Sequence, residues 1–224
     1  MSEMFKTNIK IEEVTKNFEV VIQKIIKAAD EFPWDNEVAY AHWLAQTYYL
    51  VRHTTRFICL TAGHLSLEQE EFHQFLLKHL REETGHELLA LNDLQDGLHW
   101  SVLDTPERIE SQMMLQSQYF WIRKNPFAHF GFFWVLERLS VERGGKIIPT
   151  IQKSFGKGTT SFLDLHSQED ITHVQTIFAK VSKIPNQYLQ DLNLNIIQTG
   201  ELYSKMLTEI TKMAHAVRTK DKAA

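Results

Sequence analysis

Apolar residues recur at intervals of three and four through most of the chain, which is the period of an amphipathic α-helix. In the first such segment Val14, Phe18, Val21, Ile22 and Ile25 share one helix face. No Asn-Gly or Asp-Gly turn joins two alternating runs, so the pattern does not predict a β-hairpin. We therefore expect an all-α protein.

Seven helices follow from this periodicity and from the residues that start and stop helices. Ser66 and Gln69 form a capping-box pattern, Pro33 ends the first helix, and Gly144-Gly145 is expected to weaken the fifth. We expect one helical domain over residues 1–224, with frayed ends at about 1–8 and 218–224. The predicted helices cover about residues 11–29, 35–62, 66–94, 104–124, 127–143, 162–184 and 186–217.

Composition and charge narrow the range of partners. The formal net charge of −4 and the pI of about 6.3 argue against nucleic acid, which needs concentrated positive charge. No run of about 18–20 apolar residues is present, so no membrane span is expected. The single cysteine, Cys59, excludes an intrachain disulfide and fits a reducing cytoplasm. Its apolar surroundings predict that it is buried.

The most specific candidate chemistry is the triplet His166, Asp170 and His173. The spacing i, i+4, i+7 places these side chains on one helix face, and two imidazoles with a carboxylate suit iron, manganese or zinc. The alternative is an ordinary helix N-terminus, in which Asp164 or Ser167 is the cap and the acidic residues favour the helix dipole.

Two earlier segments offer ligands of the same kind. Glu83 and His86 form a Glu-x-x-His pattern, and His79 lies one heptad earlier on the same stripe. The alternative for this segment is a solvated charged face. Glu137 lies within the aromatic run Phe130–Leu139, where a carboxylate is costly unless it is paired or metal-bound. The alternative is that Glu137 occupies the polar side of an amphipathic helix.

These three segments together resemble the heme-oxygenase-like di-iron oxidases, which share a superfamily with heme oxygenase, thiaminase II and the pyrroloquinoline quinone biosynthesis oxidase. The resemblance covers about residues 40–215 and implies a single-domain, heme-oxygenase-like helical bundle. It also implies that Glu83 is the bridging carboxylate. The metal ligands that it implies are Glu83, His86, Glu137, His166, Asp170 and His173.

The resemblance implies an iron-containing oxidoreductase, di-iron or with manganese in place of iron, that uses O2 to oxidise a small organic substrate. It also implies that two chains pair as a homodimer. Some relatives carry a further carboxylate ligand on the helix before the early pair, where this chain offers His42, Tyr49 or His53. We take Tyr49 and His53 as candidate catalytic residues. Candidates for an apolar pocket wall are Tyr49, Phe130, Phe133 and Trp134.

Two other functions use the same fold. A cofactor-independent enzyme, similar to thiaminase II or to the quinone-biosynthesis oxidase, would act on a ring substrate without metal. Thiaminase chemistry needs a cysteine nucleophile, and Cys59 is the only thiol. The third function is a ligand-binding helical bundle without catalysis. Heme binding would leave the triplet on the late helix unexplained.

Overall fold

The computed structural model describes the backbone of residues 9–221 and the side chains of residues 9–217. Within these residues it contains nine α-helices and no strand, which confirms the all-α prediction. The helices are α1 (Ile11–Asp30), α2 (Glu37–Val51), α3 (Thr54–His64), α4 (Glu70–Glu82), α5 (His86–Asn92), α6 (Ile109–Lys124), α7 (Phe130–Phe155), α8 (Ser161–Val181) and α9 (Leu189–Asp221).

Short helical turns join several of these elements. They are 3-10 turns at Leu67–Gln69, Pro126–His129, Lys157–Thr159 and Asn186–Tyr188, and a π-helical turn at Asp93–Gly97. The predicted frayed end at residues 1–8 lies outside the described residues. Of the other predicted frayed end, only the backbone to Asp221 is described, and it continues α9. Among the described helices, none combines the length and apolar character that a membrane span requires.

Two of the seven predicted helices are divided. The second is interrupted after Val51, and α3 begins at Thr54, although no proline or glycine marks this position. The third is interrupted at Gly85, whose φ of 95° lies in the left-handed region that favours glycine. Helix α4 ends at Glu82 and Gly85 is the N-cap of α5, so Glu83 and His86 lie on either side of a break.

The fifth predicted helix is longer than expected. Helix α7 runs without interruption through Gly144-Gly145 and Pro149, so the predicted end of this helix at about Arg143 is wrong. Gly144 instead allows α7 and α8 to pack closely, because an added Cβ at this residue would lie 3.0 Å from the Cβ of Ser167 on α8. Two of the helices that carry the candidate site are therefore packed closely side by side.

Helix starts also differ from the predictions in their details. The side chain of Asn36, rather than Asp35, accepts the hydrogen bond that caps α2. Helix α6 begins at Ile109 and not at the predicted cap, Asp104. The side chain of buried Gln46 forms two hydrogen bonds with the backbone of residues 106–108, which precede the helix. Its amide donates to the Pro106 carbonyl at 3.1 Å, and its Oε1 accepts from the Arg108 amide at 2.8 Å.

Helix α8 is fixed at its start by a buried carboxylate from a distant part of the chain. The two oxygens of Asp93 accept from the backbone amides of Ser161 and Phe162, at 3.0 and 2.9 Å. Tyr40 donates its hydroxyl proton to the Thr159 carbonyl at 2.6 Å. A carboxylate at a helix N-terminus satisfies free amides and favours the helix dipole. These bonds set the position of the helix that carries His166, Asp170 and His173.

The substitution Gly200→Ala tests how closely α1 packs against α9. An added Cβ there would collide with Cγ1 of Val21, so we expect Gly200→Ala to destabilise the protein by about 1–3 kcal/mol. Gly145 on α7 is the matched control, because its added Cβ meets nothing within 4 Å. Gly145→Ala should stabilise by about 0.5–1 kcal/mol through helix propensity. Urea unfolding measures both, and equal effects would contradict the packing described here.

His129 makes stability depend on pH. Its burial at the start of α7 lowers its pKa from 6.5 to about 3. Between these values the unfolded chain binds a proton that the folded protein excludes, so stability falls as pH falls. The expected loss is about 1.4 kcal/mol per pH unit. His129→Gln removes this loss. The unfolding free energy of the wild type should therefore fall more steeply below pH 6.5 than that of the variant. Parallel curves of unfolding free energy against pH would disprove it.

Candidate metal centre

Four side chains from three helical segments meet in the interior. His79 comes from α4, Glu83 directly follows that helix, Glu137 comes from α7 and His173 from α8. Their ligand atoms all lie within 4.8 Å of one another. The Nε2 atom of His79 lies 3.2 Å from Oε1 of Glu137 and 3.9 Å from Oε1 of Glu83. We call these four residues the first group.

A second group adjoins the first and shares one residue with it. It consists of Glu83, His86 and His166, whose ligand atoms also lie within 4.8 Å of one another. Nδ1 of His86 lies 3.4 Å from Oε2 of Glu83, and the centroids of the two imidazoles are 4.9 Å apart. One oxygen of Glu83 therefore faces each group. A carboxylate placed in this way can bridge two metal ions.

The triplet on α8 is divided between the groups. His173 belongs to the first and His166 to the second, although both lie along one side of the helix. Asp170 lies in neither, but it is only 2% exposed and its Oδ1 lies 3.4 Å from Nδ1 of His173. Its role as a ligand stays a prediction, and its contact with His173 gives it a position beside the centre.

Unsatisfied buried atoms are concentrated at this centre. Among the described side chains, those with a buried nitrogen or oxygen that lacks a hydrogen-bond partner include His79, His86, Glu137, Asp170 and His173. Each such atom costs about 1–3 kcal/mol, which a bound cation would offset. Imidazole nitrogens together with carboxylate oxygens suit iron or manganese. The residues present therefore fit a transition-metal site.

Burial controls the protonation of the first group. It raises the pKa of Glu137 well above the ordinary value, and the negative charge of Asp170 adds to this effect. Burial also lowers the pKa of His79, so that its imidazole is neutral and able to bind a metal. The neighbouring Asp170 carboxylate raises the pKa of His173, although their 3.4 Å contact is poorly aligned for a hydrogen bond.

The second group has the charges of an ion pair. Burial opposes ionisation of Glu83, but its contact with His86 outweighs burial and lowers its pKa. Burial likewise opposes protonation of His86, yet Glu83 raises its pKa. Protons held by His86, His173 and Glu137 must leave when a cation binds. Metal affinity is therefore expected to fall as pH falls.

An apolar cavity of about 130 Å³ adjoins the two groups. Glu83 and Glu137 line one side of it, while Phe132, Phe133 and Phe162 are among the aromatic residues of the remaining wall. The structure therefore places Phe133 in the wall, as predicted. Two of the other wall candidates lie elsewhere: Trp134 stacks on Phe18 at 3.7 Å, and Phe130 packs against Phe72 and Phe75.

The structure does not bring Tyr49 and His53 to the centre. The hydroxyl of Tyr49 donates to the Val102 carbonyl at 2.9 Å, and Nδ1 of His53 lies 2.8 Å from the hydroxyl of Tyr119. Neither residue lines the cavity or belongs to either group, so their catalytic role stays a prediction without geometric support. His79 is the member that the sequence indicated least, by its heptad spacing alone.

The prediction that Cys59 is buried is wrong. On α3 the preceding residues Phe57 and Ile58 are buried, whereas Cys59 and Leu60 turn outward because they fall on the opposite face. The thiol also lies outside the cavity wall. It has no place in the chemistry of this cavity.

Solved structures with the same fold extend over nearly the whole chain. A TenA homolog from Pseudomonas syringae pv. tomato has a TM-score of 0.76 and 9% identity, covering 95% of this chain and 98% of its own. A domain of unknown function with a heme oxygenase-like fold from Shewanella denitrificans has a TM-score of 0.74 and 17% identity, covering 92% of each chain. A CADD-like protein of unknown function from Nostoc punctiforme has a TM-score of 0.66 and 15% identity, covering 91% of this chain and 99% of its own.

At these identities the structures show the fold alone, and they confirm the heme-oxygenase-like bundle expected from the sequence. No curated protein matches the chain. The model of one family, described as iron-containing redox enzymes, matches residues 41–192. That range is more than half of the chain and contains both groups of candidate ligands. The chain belongs to the family of iron-containing redox enzymes.

Proposed function

We propose that the protein is an oxidase that binds two iron ions and uses O2 to oxidise a small organic substrate. The observation that supports this most is the position of Glu83, with one carboxylate oxygen toward each group. A single metal ion bound in one group would leave the ligand atoms of the other group, and the Glu83 oxygen that faces them, without a metal. Two ions would use both oxygens, and they would also give partners to the unsatisfied atoms nearby.

The residues that would hold the two ions follow from the two groups. His79, Glu137 and His173 would hold one, His86 and His166 the other, and Glu83 would be shared. Iron bound there supplies the capacity to reduce O2, which protein side chains lack. Asp170, in contact with Nδ1 of His173, would fix the orientation of that imidazole, as carboxylates commonly do for histidine ligands.

The cavity wall indicates the kind of substrate. Because its lining is mainly apolar and aromatic, we infer a largely apolar molecule that displaces water as it binds. The hydroxyl oxygen of Ser140 is buried in this wall without a hydrogen-bond partner. It can therefore form a hydrogen bond with one polar group of the substrate and fix the orientation of the substrate relative to Glu137 on the same helix.

A metal-free, thiaminase-like reaction is less well supported. Such an enzyme needs a nucleophilic thiol in its pocket, whereas Cys59 is exposed on α3 and outside the cavity wall. The carboxylates of the centre are also surrounded by imidazoles, which suits cation binding better than nucleophilic catalysis.

Metal stoichiometry tests the assignment of ligands. We expect wild-type protein to bind two Fe(II) or Mn(II) ions per chain in an anaerobic titration. Glu83→Ala should abolish tight binding at both positions, and His166→Ala should leave one ion bound. In each variant the affinity for the lost ion should fall by more than the roughly 10–100-fold that is typical when a residue that only orients a metal ligand is removed. His73→Gln on α4 is the control, since His73 contacts the Ala62 carbonyl and belongs to neither group. Two ions retained by Glu83→Ala would contradict the assignment.

Reaction with O2 tests the proposed activity. Protein loaded with Fe(II) under argon should consume O2 rapidly on mixing and develop a new optical absorption. A chelator that stabilises Fe(II) against autoxidation, such as 2,2′-bipyridine, added before iron, or the change Glu83→Ala, should abolish both O2-dependent signals because the two ions are no longer held together. His73→Gln should react as the wild type does. O2 consumption that persists unchanged in chelator would rule out the proposal.

A further inference from the structure

A continuous series of aromatic rings runs from the metal ligands toward the surface. The ring of His79 lies 5.3 Å from that of Phe133, which lies 4.1 Å from His129, measured between centroids. His129 lies 5.4 Å from Phe57, which lies 4.9 Å from Tyr119. No step exceeds 5.4 Å, so each ring is in the range of direct aromatic contact with the next.

The outer end of this series is a tyrosine paired with a histidine. Tyr119 is 38% exposed on α6, and its hydroxyl lies 2.8 Å from Nδ1 of His53. Burial, with the positive charges of Arg52 and Arg56, lowers the pKa of His53. Its imidazole is therefore neutral near pH 7 and free to accept a proton. A phenol loses an electron far more readily when its proton can pass to such a base.

The three inner rings of the series differ from Tyr119 in their burial and in how easily they are oxidised. Phe57 and His129 are fully buried, and Phe133 is only 4% exposed, so their rings are packed without intervening water. None of these three side chains is readily oxidised, whereas a tyrosine is. Tyr119 is thus the one member of the series that can lose an electron easily, and it lies where small molecules in solution can reach it.

We propose that Tyr119 is a redox-active surface residue connected to the metal centre through Phe57, His129 and Phe133. The inference rests on the proposed function, because the oxidant is the centre after its iron has reacted with O2 without substrate. Tyr119 is oxidised to its neutral radical: one electron tunnels through the packed rings, none of which is itself oxidised, and reduces the centre, while the phenolic proton passes to Nδ1 of His53.

An external one-electron reductant completes the cycle. A small molecule of the thiol or ascorbate class gives an electron to the Tyr119 radical, and His53 returns the proton to the phenolic oxygen. Oxidising equivalents thereby leave the centre instead of attacking Phe133 and the ligands around it. His53, which does not contact the centre, acquires in this way a positioning and proton-accepting role at the surface.

Electron paramagnetic resonance of the loaded protein tests the connection. Wild-type protein carrying Fe(II) is mixed with O2 without substrate or reductant and frozen at short times. We expect a tyrosyl-radical signal that Tyr119→Phe eliminates. Phe57→Leu, which keeps an apolar side chain but removes a ring, should lower the radical yield severalfold. Tyr48→Phe on α2 is the matched control and should retain the signal, since Tyr48 contacts Tyr49 but no ring of the series.

A second measurement on metal-free protein tests the surface pair alone. Photo-oxidation with a ruthenium polypyridyl complex and persulfate should generate a radical at Tyr119, identified as dityrosine cross-links by peptide mapping. His53→Gln removes the proton acceptor, so the cross-link yield at Tyr119 should drop severalfold. Unchanged yield in His53→Gln would overturn the proposed role of the pair.

The outcomes separate this inference from the proposed function. A radical that survives in Tyr119→Phe, or iron oxidation by O2 that leaves no tyrosyl radical in the wild type, would overturn the relay and leave the oxidase standing. Wild-type protein that fails to bind iron or to react with O2 would overturn the oxidase, and the relay with it. Loss of the radical in Tyr119→Phe alone, with Tyr48→Phe unaffected, is the result that supports the relay.

Discussion

The cost of burying ionisable groups determines the character of this centre. Glu83, Glu137 and Asp170 are each less than a tenth exposed, and His79 is 2% exposed. Carboxylates removed from water are strongly destabilising unless they are protonated, paired or bound to a cation. Two of these residues respond differently: the pKa of Glu137 is raised, whereas contact with His86 lowers that of Glu83. The proposed cation site would neutralise both carboxylates and complete the bonding of the imidazoles.

A few local structural features bring these side chains together. Asp93 caps the start of α8 and so fixes the helix that carries His166 and His173. Gly144 allows α7, with Glu137, to lie close against α8. Gly85, in the left-handed conformation at the N-cap of α5, separates Glu83 from His86, and the Glu83 carboxylate lies between two pairs of histidines. Each of these features lies at a helix end or at a contact between helices, while the apolar faces of the long helices stabilise the fold.

Much of this arrangement can be predicted from the sequence. Apolar periodicity gives the all-α class and most helix positions, and the Glu83/His86 pattern, Glu137 and the late triplet lead to the same centre. The division after Val51 has no local signal, because packing and not a helix-breaking residue decides it. Gly144-Gly145 signals a break that does not occur, since a glycine can also serve a close helix contact.

The remaining features depend on long-range contacts. The pairing of His53 with Tyr119 joins residues 66 positions apart, and no pattern within a helix predicts it. The membership of His79 in the first group becomes evident only when Glu137 is placed 3.2 Å away. Cys59 lies in an apolar stretch and yet is exposed, because burial follows the face of the helix and not the average character of its neighbours.

The proposed centre requires that two metal ions share the Glu83 carboxylate. This can be measured in crystals of protein loaded anaerobically with Fe(II), with diffraction recorded on both sides of the iron absorption edge. We expect two anomalous peaks on opposite sides of the Glu83 carboxylate, one beside His79 and His173 and the other beside His86 and His166. A single peak away from Glu83, or none in protein shown to contain iron, would exclude a centre of this kind.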